Sequence, residues 1–145
     1  MLINIEAKEE RLQDLLTSAL EGGSNDWYFI NEFNYPNKCP KCGELTPCTT
    51  CPKCIKITIP QTKESLGIEF VHIELPFKGG WLTFTVPEDE DGKEYILDMK
   101  AIQRGVKVMA ERYPGHFSDW VSENDDAITG DVFLQCCLFG EVVYE

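Results

Sequence analysis

No apolar run in this sequence approaches the ~20 residues that a helix needs to cross a bilayer. The first residues also lack the basic-then-apolar pattern of a secretory signal, so the expected setting is a cytoplasm. Histidine is scarce. His72 and His116 are the only two, and neither falls in a nucleophile or zincin pattern. There is no phosphate-cradling glycine loop of the Walker or dinucleotide type, no internal repeat and no low-complexity linker. Positive charge is short as well: 13 Lys and Arg face 25 Asp and Glu, a net −12. The deficit is uneven. Residues 1–60 carry six basic and eight acidic side chains, and residues 61–145 carry seven and seventeen. Such a surface repels nucleic acid backbones and favours cationic protein partners, besides serving solubility.

Cysteine is plentiful and concentrated. Five of seven lie between Cys39 and Cys54, where two Cys-Pro-Lys-Cys units give the spacing C-x2-C-x8-C-x2-C. Each two-residue spacer lets the backbone turn so that both sulfurs face one ion, which is the pattern of a tetrahedral zinc site. The expected ligands are Cys39, Cys42, Cys51 and Cys54. Cys48 is a rival for one position, and Cys48, Cys51 and Cys54 also fit part of an iron–sulfur pattern. Disulfides are the third reading, disfavoured in a reducing cytosol. Four thiolates would close the coordination sphere, making the zinc structural and worth ~10–16 kcal/mol of folding free energy. Cys136 and Cys137 sit in an apolar run and read as small core residues.

Periodicity supplies the fold class. Leu2–Glu6 alternates like a short strand, and from Ala7 onward Leu12, Leu15, Leu16, Ala19 and Leu20 mark an amphipathic helix ended by Gly22-Gly23. Ser24 is placed to cap a second short helix that begins with Trp27 and Tyr28. Short strands are expected at Lys56–Ile59, Ile68–Leu75, Trp81–Val86, Glu94–Leu97 and Glu141–Glu145, with turns at Pro76–Gly80 and Asp91-Gly92. Asp98 caps the clearest helix, Met99–Tyr113. Another turn of helix follows at His116–Ser122, with Phe117, Trp120 and Val121 inward, and a last helix runs from Asn124-Asp125-Asp126 to Phe139 and stops at Gly140. The sum is one α+β domain over residues 1–145, a small antiparallel sheet with helices on one face. A four-cysteine zinc knuckle, residues 38–55, is inserted in it.

Two stretches resemble a family of small proteins of unknown function from phages and prophages. One is Ala19-Leu20-Glu21-Gly22-Gly23-Ser24-Asn25-Asp26-Trp27-Tyr28. The other lies within Asp98–Tyr144, chiefly Tyr113-Pro114-Gly115-His116-Phe117 and the run from Glu123 through Gly130-Asp131-Val132-Phe133-Leu134-Gln135 to Glu141. The resemblance implies an accessory gene of a mobile element acting in a host cell, and no particular activity. The cysteine stretch lies outside it.

Binding is favoured over catalysis on these grounds. The first expectation is docking on a host or defence protein, an anti-defence role, through acidic groups at Glu88, Asp89, Glu90, Asp91, Glu123, Asp125 and Asp126. The second is capture of a small nucleotide-like ligand, stacked on Trp27 and Tyr28, with Asn25, Lys78 and Arg104 meeting its polar groups. The third is metal-dependent phosphoryl transfer on Asp119, Glu123, Asp125, Asp126 and Asp131. Each is compatible with a monomer or an oligomer. The Glu88–Gly92 tip is not a calcium loop, because aligning Gly92 to its sixth position puts Pro87 where the first acidic ligand must be.

Overall fold

The computed structural model describes residues 9–21, 27–38, 59–88, 91–124 and 126–144. Among these, helix α1 (Glu9–Glu21) buries the whole predicted stripe of Leu12, Leu15, Leu16, Ala19 and Leu20. It crosses α5 (Ala127–Phe139), the central helix. Nearly every residue of α5 from Thr129 to Leu138 is buried, so it is apolar around its circumference rather than along one stripe. Gly130 makes the crossing with α1 close, since a Cβ there would lie 2.5 Å from the Ala19 amide nitrogen. On another side α3 (Met99–Arg112) crosses α5 at Gly105, where a Cβ would lie 2.2 Å from the Cys137 Sγ. Two glycines thus set the helix spacing by having no side chain at the contact.

Both long C-terminal helices begin as the sequence predicts. The Asp98 side chain accepts from the Ala101 amide at 2.8 Å, and that of Asp126 from the Thr129 amide at 3.0 Å. Pro114 acts at two helices. It disfavours helical backbone at Tyr113, ending α3, and then opens α4 (Pro114–Val121) as its first residue. Trp120 is buried in α4, whereas Val121, expected inward, is 63% exposed.

The main sheet is antiparallel, in the order β1 (Phe29–Asn34), β4 (Trp81–Thr85), β5 (Glu94–Leu97). Cross-strand partners share a face. Ile30–Phe84–Tyr95 and Leu82–Leu97 point into the core, where Tyr95 meets Phe139 of α5 edge-on at 4.8 Å. Phe29–Thr85–Glu94, Glu32–Thr83–Ile96 and Asn34–Trp81 lie on the opposite face. A bulge between Ile30 and Glu32 leaves Asn31 as the extra residue, and its side chain accepts from Thr85 Oγ1 at 3.1 Å. A separate two-stranded ribbon pairs β2 (Asn37–Lys38) with β3 (Ile59–Pro60).

Three segments differ from the reading by periodicity. Where a second short helix capped by Ser24 was expected, Trp27 lies in a 3-10 turn and the chain then runs on as a strand at residues 29–34; Ser24 itself lies outside the described residues. The edge of β4 supplies hydrogen-bond partners that local sequence does not reveal. Residues 68–75 are not a strand: α2 (Val71–Glu74) runs into a 3-10 turn at Leu75–Lys78. Here the Glu74 carboxylate folds back to accept from the Glu69 and Phe70 amides at 2.9 and 2.6 Å, capping the turn, and Pro76 favours its continuation. Finally, residues 141–144 carry no strand. Gly140, left-handed at φ 76°, reverses the chain, and the side chain of Gln135 supplies the backbone partners a neighbouring strand would have offered. The expected strand at Leu2–Glu6, and Lys56 to Thr58 of the one at Lys56–Ile59, lie outside the described residues.

Candidate binding surfaces

Trp27 and Tyr28 do not face solvent. Trp27 is 8% exposed, and its ring packs on Tyr28, Phe139 and Tyr144, the last nearly parallel at 5.5 Å. Its indole N–H donates to Asp131 Oδ1 at 2.7 Å. The other oxygen of Asp131 accepts from the amide of Gln135 at 2.8 Å. Gln135, fully buried, spends its remaining capacity on the tail: its amide also donates to the Tyr144 carbonyl at 2.7 Å, and its oxygen accepts from the Val143 and Tyr144 amides at 2.8 and 2.7 Å. Tyr113 Oη accepts from the Val142 amide at 2.9 Å. A buried polar chain therefore runs from Trp27 through Asp131 and Gln135 to the tail, with every member satisfied. Burial, with the Asp131 charge nearby, pushes the Tyr28 hydroxyl up to about 12.

The other residues expected at a stacking pocket are dispersed. Lys78 ends the 3-10 turn. Arg104 lies on α3, and its guanidinium donates to the Cys137 carbonyl at 2.5 Å. Asn25 lies outside the described residues. Around Trp27 the structure brings together aromatic rings and a carboxylate.

The acidic candidates separate too. Glu88 and Asp91 are exposed on the connection between β4 and β5; Asp89 and Glu90 between them lie outside the described residues, as does Asp125. Glu123 takes a left-handed backbone at φ 62° just after α4. Asp126 is occupied as a helix cap, and its hydrogen bond from the Thr129 amide holds the carboxyl below its ordinary value. Asp131 is turned inward. Among the described residues no three His, Cys, Asp or Glu side chains gather as a metal site. Cys136 and Cys137 are buried free thiols, and desolvation drives both up, Cys136 to about 12, so both stay protonated and inert at neutral pH. Cys39, Cys42, Cys48, Cys51 and Cys54 lie outside the described residues, but the pairing of Asn37 with Pro60 and Lys38 with Ile59 sets the two ends of that stretch side by side.

One feature is not visible along the linear chain. Between α1 and residues 69–74 lies a cleft of about 460 Å³, lined by Gln13, Asp14, Thr17, Glu21, Glu69, Phe70, Ile73 and Glu74. Four of the eight are carboxylates and none is Lys or Arg. At one end His72 Nε2 lies 3.2 Å from Glu21. The polar stripe of α1 is legible at helical spacing. Its opposite wall is not, because residues 68–75 alternate like a strand. No helix among the described residues is long and apolar enough to cross a membrane. Compared with protein-family models, curated proteins and solved structures, the chain matches none of them.

Proposed function

We propose that this protein acts by binding, docking on a basic surface of another protein through its carboxylate-rich exterior. The observation that carries the reading is the cleft between α1 and α2, whose described lining holds Asp14, Glu21, Glu69 and Glu74 and no Lys or Arg, with His72 beside Glu21 at one end. Carboxylates held close together raise the local concentration of cationic groups and speed their encounter. Glu88 and Asp91 on the β4–β5 connection extend the same sign of charge to the sheet. The resemblance to phage and prophage proteins directs the search for the partner to host and defence proteins in the cytoplasm of an infected cell. In this reading Cys39, Cys42, Cys51 and Cys54 hold a structural zinc at the end of the β2–β3 ribbon.

The docking reading is tested with an arginine-rich peptide followed by fluorescence anisotropy at low and high NaCl. The expected result is an affinity that falls steeply with salt and drops on combined Asp14→Asn, Glu21→Gln and Glu69→Gln substitution or on Glu88→Gln with Asp91→Asn. Salt-independent binding, or none, would remove it. The zinc is tested separately by native mass spectrometry: a mass excess of zinc is expected, lost in Cys39→Ser. Iron with sulfide would replace it by a cluster.

A further inference from the structure

The outer face of the three-stranded sheet combines apolar and acidic side chains. On it Phe29 is 63% exposed, Ile96 52% and Trp81 37%, all large apolar groups. Glu32 and Glu94 share that face and are exposed. The two kinds of group cross diagonally. Phe29 and Glu94 end one cross-strand row, and Glu32 and Ile96 end the next, with Thr85 and Thr83 between them. Thr83 on this face is only 4% exposed. The surface is pinned by Asn34 Nδ2 donating to Thr83 Oγ1 at 3.1 Å and by Thr85 donating to the bulged Asn31. None of the three strands contains Lys or Arg. The nearest cation in sequence, Lys93, lies 5.1 Å above the ring of Tyr95, an inward-facing residue.

We infer that this face docks a cationic amphipathic helix of a partner protein, its apolar stripe seated on Phe29, Trp81 and Ile96 and its flanking Lys or Arg side chains meeting Glu32 and Glu94. The dimensions suit a helix. Three strands spaced ~4.8 Å apart span roughly 10 Å, about the diameter of one helix with its side chains. The charges choose among occupants. A second copy would bring further carboxylates to a face that has them already, and a nucleic acid or anionic lipid surface would be repelled by the net −12. A basic amphipathic helix satisfies both kinds of group at once. The inference rests on the acidic docking reading and adds the site and the chemistry of what sits on it.

The test uses the full chain and a fluorescein-labelled helical peptide of leucine and lysine, with leucines at i, i+3, i+4 and i+7. A control peptide keeps the lysines and carries glutamine for leucine. The leucine peptide is expected to bind at least ~10-fold more tightly than the control, each 10-fold step being about 1.4 kcal/mol. Phe29→Ser, Ile96→Ser and the pair Glu32→Gln with Glu94→Gln should each weaken it by about that factor, while Glu111→Gln, at an exposed carboxylate of α3, leaves it unchanged. Far-UV circular dichroism checks each variant, and the glutamine pair needs no apolar group removed. If binding survives the sheet substitutions but falls when the cleft or the 88–91 connection is neutralised, the sheet inference is overturned and acidic docking stands. Failure of every cationic peptide to bind overturns both. A dimer in sedimentation velocity that Ile96→Ser dissociates gives the face to a second copy instead.

Discussion

The surroundings of α5 and the outer face of the sheet use similar residue types to opposite ends. Around α5, Trp27, Phe139 and Tyr144 pack ring on ring, and the polar groups among them are all paired. On the outer sheet face Phe29 and Ile96 are more than half exposed and Trp81 is 37% exposed. An aromatic residue in sequence therefore does not announce its role. The environment assigns it, as core support in one place and as available contact area in the other. The contrast also explains why Trp27 and Tyr28, which look like stacking residues in a linear reading, are committed to stability.

Substitutions can break that contrast. The largest loss is expected for Trp27→Ala, about 3–5 kcal/mol, because it removes a buried ring and leaves Asp131 short of a donor. Chemical denaturation measures it. Gly130→Ala should follow at about 1–3 kcal/mol, since its Cβ meets the backbone of α1, which cannot move like a flexible side chain. Asp98→Ala should cost about 1 kcal/mol through loss of the α3 cap, and Asp98→Asn much less. At the other extreme, Phe29→Ser and Ile96→Ser should change stability by no more than ~0.5 kcal/mol. A large loss at either position would mean that the outer face supports the fold and would erase the comparison.

A pH titration sharpens the same comparison. The Tyr28 hydroxyl is raised in the folded state, so the unfolded chain releases its proton first. Stability should fall as pH rises from ~10, the ordinary tyrosine value, toward about 12. The raised thiols of Cys136 and Cys137 add to that limb from ~9 upward. The difference between the parent protein and Tyr28→Phe isolates the tyrosine, and a melting series through alkaline pH should show the variant losing less. Equal slopes would place the hydroxyl in water rather than beside Asp131.

Helices carried by side-chain period and caps are legible in the amino-acid sequence. Leu12, Leu15, Leu16, Ala19 and Leu20 are the buried face of α1, Asp98 and Asp126 cap α3 and α5, and Gly140 ends α5. These signals sit within a few residues of what they control. Strands β4 and β5 are legible for the same reason, as a hairpin with a local turn. Sequence and fold part where partners are distant or face signals ambiguous. The alternation at 68–75 fits a strand, yet Glu74 caps its own turn there. The tail alternates like a strand too, yet Gln135 supplies its hydrogen bonds.

The candidate surfaces divide in the same way. Net charge, the four-cysteine spacing and the exclusion of a bilayer-spanning run follow from composition and short-range pattern, which no fold alters. That Trp27 is buried, that α1 and residues 69–74 enclose an acidic cleft, and that Phe29, Glu32, Glu94 and Ile96 share one sheet face depend on contacts between segments far apart in the chain. Local periodicity is set by backbone geometry residue by residue. The meeting of two surfaces is set by how the helices and sheet pack, and only the assembled fold contains it.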